Sequence, residues 1–90
     1  MSFDREILDS AHKRSIYNEG EIKQSVLCGC FYCLETFKSI EIIEWIDKES
    51  AKGKTAQCPN CGIDSVIGDK SGFPVMDKNF LIAMYGRWFN

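Results

Sequence analysis

The chain has 90 residues, enough for one domain (1–90) with a modest core. Its hydrophobic content of 44% and charged content of 27% exclude wholesale disorder. A formal charge of −2 argues against a general binder of phosphate backbones.

No local block reverses that charge balance. Residues 1–24 carry four Lys/Arg against five Asp/Glu, residues 34–57 four against five, and residues 62–90 three against three. The opening Met-Ser-Phe-Asp-Arg-Glu-Ile-Leu turns charged at once and lacks the apolar core of a secretion signal. No stretch approaches a membrane span, so no membrane partner is expected. Five cysteines without such a signal place the chain in a reducing cytoplasm.

The first segment reads as a helix capped by Ser2, with Asp4 and Glu6 in its first turn. Phe3, Ile7, Leu8 and Ala11 fall on one face, and His12 falls off it. Asn18 and Glu21 form a weak capping-box pattern for a second helix running toward Ser25. Val26 to Phe37 carries a first cysteine pair. Ser39 can start a third helix, with Ile42, Ile43, Trp45 and Ile46 on one broad arc. Residues 47–54 are polar and end in a turn. Thr55-Ala56-Gln57 and Ser65-Val66-Ile67 flank a second cysteine pair and suit a small β-hairpin. Residues 68–72 form a turn-rich loop. Asp77 is a candidate cap for a last helix with Phe80, Leu81, Met84, Tyr85 and Trp88 on one face. Trp45, Phe80 and Trp88 are the expected core aromatics.

The strongest chemical signal is the matched pair Cys30-Phe31-Tyr32-Cys33 and Cys58-Pro59-Asn60-Cys61. Each C-x-x-C turn lets both sulfurs point at one ion, and two such turns supply four thiolates in tetrahedral array. Cys30, Cys33, Cys58 and Cys61 are therefore the expected ligands of a structural Zn²⁺. A redox pair and an iron–sulfur site are the other uses of such thiols. Cys28 is expected to be a buried free thiol, with a second metal site shared with His12 as the sharper alternative. His12, the only histidine, is expected to be structural, with a ligand or general-base role as its alternative. Asp64, Ser65, Asp69 and Ser71 read as a polar turn, with a small anion or peptide contact at 68–72 as the alternative. Ser71 has no partner for hydrolysis.

The two cysteine segments resemble zinc-ribbon and treble-clef proteins, a likeness over the central third of the chain. The longer strings CGCFYC (28–33) and CPNCGIDSVIGD (58–69), with Trp88-Phe89, resemble a family of short, uncharacterised bacterial cytoplasmic proteins. That resemblance implies a zinc-bound cytoplasmic domain and no particular reaction. The knuckles are also similar to those of HNH endonucleases, which place an Asp-His pair between them. Residues 34–57 contain no histidine.

The expected fold is α+β: a small two-knuckle zinc domain, treble-clef- or zinc-ribbon-like, with short β-hairpins covered by three or four helices. The expected function is a structural zinc-binding module that contacts a protein, in preference to a specific nucleic-acid site. The alternatives are a nuclease relative acting through His12 and a thiol-based redox or zinc sensor.

Overall fold

A computed structural model describes residues 3–89. The Ser2 cap expected for the first helix lies outside them. The order is α1 (Arg5–His12), α2 (Glu19–Gln24), β1 (Leu27–Cys30), β2 (Thr36–Lys38), β3 (Trp45–Ile46), β4 (Thr55–Ala56), β5 (Val66–Gly68) and α3 (Lys78–Trp88). The strands form two antiparallel sheets, one ordered β2-β1-β5 and the other β3-β4. The fold is α+β, as expected.

Strands β1 and β5 of the three-stranded sheet are buried on both faces, because side chains alternate along a strand, while the edge strand β2 is largely exposed. Cys28, Cys30 and Val66 point to one side, where they pack with Ile22, Ile42, Ala56 and Cys58. Phe31 and Ile67 belong to the other side, with Leu8, Ala11, Val75, Phe80, Leu81 and Met84. Gly29 lies between them in β1 and lets α3 approach. A Cβ there would sit 2.5 Å from the Val75 carbonyl oxygen and 3.1 Å from a Leu81 methyl.

Helix ends follow local chemistry. Asp4 caps α1 by accepting from Ile7 N, and Asp77 caps α3 by accepting from Asn79 N. On α1 the buried positions are Leu8 and Ala11, while Ile7 is exposed. Trp88 reaches back from α3 to donate to Leu8 O, and Arg87 pairs with Asp9 at 3.0 Å. Phe80 is fully buried, whereas Trp88 and Trp45 are half-buried against the two core clusters.

Two expectations about the strands are overturned. The third helix is absent: Ser39–Glu41 makes a single 3₁₀ turn, and Trp45–Ile46 continues as β3. The β-branched run Ile40, Ile42, Ile43 and Ile46 fits a pleated strand better than a helix. At its end Trp45 and Ile46 pair with β4, through Trp45↔Ala56 and Ile46↔Thr55. The second correction concerns 55–57 and 65–67, which do not pair with each other. Thr55–Ala56 joins β3, and Val66–Gly68 joins β1 through Cys28↔Gly68, Gly29↔Ile67 and Cys30↔Val66.

A buried amide bridges the gap between these two sheets. Asn18 adjoins α2, but its side chain makes no capping bond there. Its Nδ2 donates to Val66 O (2.9 Å) and Arg14 O (3.0 Å), and its Oδ1 accepts from Ala56 N (3.1 Å). Glu21, the other half of the expected capping box, instead pairs with Arg14 at 3.4 Å. Truncating Asn18 strands a carbonyl of β5 and an amide of β4 away from water. Asn18→Ala should therefore cost about 2 kcal/mol, read as a lower urea midpoint with an unchanged slope.

Candidate metal centre

Each cysteine pair sits in a turn, and the two turns repeat one backbone pattern. In the first, Leu34 N donates to Cys30 O at 2.9 Å and Cys30 N donates to Glu35 O at 3.0 Å. In the second, Gly62 N donates to Cys58 O at 2.9 Å and Cys58 N donates to Ile63 O at 2.9 Å. Both turns place the residue after the second cysteine in the left-handed region, Leu34 at φ 67° and Gly62 at φ 83°. Glycine adopts that geometry freely, while leucine carries a cost of about 1–2 kcal/mol. Leu34 recovers part of it by packing against the α1/α3 core.

The turns bring Cys30, Cys33, Cys58 and Cys61 together, with all four sulfurs within 4.8 Å of one another. The cross-turn pairs Cys30–Cys61 and Cys33–Cys58 are both 3.7 Å apart. Four sulfurs at the usual Zn–S distance of about 2.3 Å from one ion stand about 3.8 Å apart, so the donor set fits a tetrahedral cation. Four cysteines so arranged could hold a metal ion.

Donors around the cluster support negative sulfur. Tyr32 N lies 3.4 Å from Cys30 Sγ, and Asn60 N lies 3.3 Å from Cys58 Sγ, the same place in each turn. Ser65 Oγ is 3.0 Å from Cys30 Sγ, and the Asn60 amide donates to Cys33 Sγ at 3.5 Å. Burial pushes the Cys30 thiol well above its ordinary value, against the opposing Ser65 hydroxyl, and also raises Cys58. At Cys33 burial is outweighed by the Asn60 amide and the neighbouring backbone, which leave that thiol below its ordinary value. The sequence places Ser65 in a polar turn, and Asn60 carries no signal beyond its place inside the knuckle.

Cys28 is not a member of the group. It is fully buried on the same face of β1 as Cys30, and the metal-ligand set excludes it. His12 is stacked on Trp88 with ring centroids 3.8 Å apart and lines a cleft with Phe31, Asp64 and Ser65, whereas Cys28 packs in the other core cluster, so the two do not meet. Burial lowers the His12 pKa, partly offset by Asp64 and Asp9. Two of the polar residues after the second knuckle make hydrogen bonds within the fold, while Asp64 is exposed. Asp69 accepts from Val26 N and Leu27 N, and Ser71 Oγ donates to Gly68 O. Among the described residues, no helix is long and apolar enough to cross a membrane.

The buried Cys28 thiol is pushed up to about 12, chiefly by desolvation, with Asp69 adding to the shift. From its ordinary 9.0 up to about 12, the unfolded chain ionises at Cys28 while the fold does not. This thiol therefore favours unfolding as pH rises through that window. At pH 8 the folded state therefore holds Cys28 as the unreactive thiol. Iodoacetamide should leave Cys28 unmodified in the native protein at pH 8 and label it in urea, as read by peptide mass spectrometry.

Comparison with known proteins finds no matching family model, no matching curated protein and no matching solved structure, so the likeness to zinc proteins rests on the four-cysteine cluster alone.

Proposed function

We propose that Cys30, Cys33, Cys58 and Cys61 hold one Zn²⁺ as a structural site, and that the chain is a single zinc-stabilised domain that binds another protein. The observation that carries this reading is the pair of 3.7 Å cross-turn sulfur distances inside a cluster spanning no more than 4.8 Å. Four thiolates close the coordination sphere, leaving no position for water or substrate. The ion would act by stabilising the fold, at about 10–16 kcal/mol of binding energy in small peptides at neutral pH. It would also bring the formal charge to about −4, which favours a protein partner over a phosphate backbone.

The nuclease alternative lacks a histidine between the knuckles, and His12 is stacked on Trp88 and is not among the clustered ligands. The sensor alternative has one observation in its favour: Cys33 and Cys61 are only partly buried, so oxidant can reach them. It predicts zinc release by stoichiometric peroxide, and a site that keeps its zinc under that treatment argues for the structural role.

The purified protein should contain one zinc per chain by native mass spectrometry. Cys58→Ser should lose that zinc, and a strong chelator should abolish the near-ultraviolet circular dichroism of the wild type. A charge-transfer band near 400 nm with iron in place of zinc, or an unchanged spectrum after chelation, would refute the zinc assignment.

A further inference from the structure

A cleft of about 270 Å³ opens between the end of α1, the turn after the second knuckle and the end of α3. Phe31 and Ser65 form its floor and are almost fully buried. His12, half-buried, makes one wall together with Trp88, on which its ring is stacked. Asp64, Ile16 and Phe89 line the mouth and are exposed. The floor is tied to the rest of the fold. Phe31 N donates to Ser65 O at 3.0 Å, and Ser65 Oγ lies 3.0 Å from Cys30 Sγ.

The polar groups left over in this cleft are chiefly acceptors. Its two hydroxyls are engaged within the fold, Ser15 Oγ on His12 O at 2.6 Å and Ser65 Oγ on the Cys30 sulfur. Among the described residues, neither the His12 ring nor the Asp64 carboxylate takes part in a hydrogen bond or ion pair of the chain. Burial holds the His12 pKa below its ordinary 6.5, with Asp64 and Asp9 opposing. At neutral pH the imidazole is therefore uncharged, and one ring nitrogen accepts. Among the described residues, no Lys or Arg lines the cleft. Two cations of the flanking segments are used elsewhere, Arg14 by Glu21 at 3.4 Å and Arg87 by Asp9 at 3.0 Å. The charge at the cleft is thus the Asp64 carboxylate, set among apolar walls.

We infer that this cleft binds a small organic cation, a primary amine carried on an apolar stem. The ammonium group donates to the Asp64 carboxylate and to the open ring nitrogen of His12, and the stem lies against Ile16 and Phe89. An anion of the same shape would meet Asp64 as a like charge. The inference goes beyond the reading of the chain as an interaction domain and does not depend on it, since the cleft needs the fold and no protein partner.

The test is titration of the zinc-loaded full chain with phenethylamine, with Nα-acetyl-lysine amide and with phenylacetate, followed by the His12 ring-proton resonances and the backbone amide shifts. Phenethylamine should give saturable shifts centred on His12, Asp64 and Ser65, with a Kd in the millimolar range expected of so small a ligand. Tighter binding of the lysine amide would assign the amine to a protein side chain, and tighter binding of phenethylamine to a free small molecule; either result supports the site. Asp64→Asn should weaken binding about tenfold. Glu6→Gln, an exposed change of the same charge on α1, should bind as wild type does. No saturable shift with either amine would overturn the site. So would phenylacetate binding as tightly as phenethylamine, or Asp64→Asn binding as tightly as wild type. Failure of the zinc site shows separately in the metal measurement.

Discussion

Four sulfurs within 4.8 Å tie the turn between β1 and β2 to the turn between β4 and β5, and most of the remaining architecture is arranged around that junction. Each turn closes its own backbone bonds, so the knuckles are locally complete. Their mutual placement is not. The strands that carry the second knuckle belong to different sheets, and the cysteine cluster links them. As uncharged thiols the sulfurs contribute only weak contacts at 3.7 Å. With a cation between them they would become the strongest interaction in the chain, which is why the zinc reading bears on folding before it bears on anything else.

The second link is the Asn18 side chain. One amide serves as a strand would, giving donors to Val66 O and Arg14 O and accepting from Ala56 N. Low local dielectric makes such a fully satisfied polar group both stabilising and specific about geometry. On the other face of the central sheet, Gly29 permits the close approach of Val75 and Leu81, which seats α3. That helix in turn holds His12 in a stack against Trp88. The lone histidine thus joins α1 to α3 and lines a cleft with Phe31, Asp64 and Ser65.

The division of labour between the faces bears on function. One face of the central sheet is covered by α1 and α3, and the other by α2, β4 and the cysteine centre. What remains available is surface. In the Ser39–Ile46 segment Ile40 and Ile43 stay exposed while Ile42 is buried between them.

The sequence alone was sufficient wherever the decisive interaction is local. The C-x-x-C spacing anticipated the four-cysteine cluster, Asp77 anticipated the cap of α3, and the glycine after Cys61 suited its left-handed turn. It also indicated a buried thiol at Cys28, because a lone cysteine in an apolar strand has few other fates. Tertiary structure decided the rest. Residues 39–46 have the apolar arc of a helix, but Trp45 and Ile46 bond to a strand beginning nine residues after Ile46. The flanks of the second knuckle look like a hairpin, yet each finds a different partner. Asn18 looks like a cap, yet its bonds go to residues 38 and 48 positions away. In each case a short polar or apolar pattern admits two hydrogen-bonding solutions of similar local energy. The choice between them is made by partners that only the folded chain brings near.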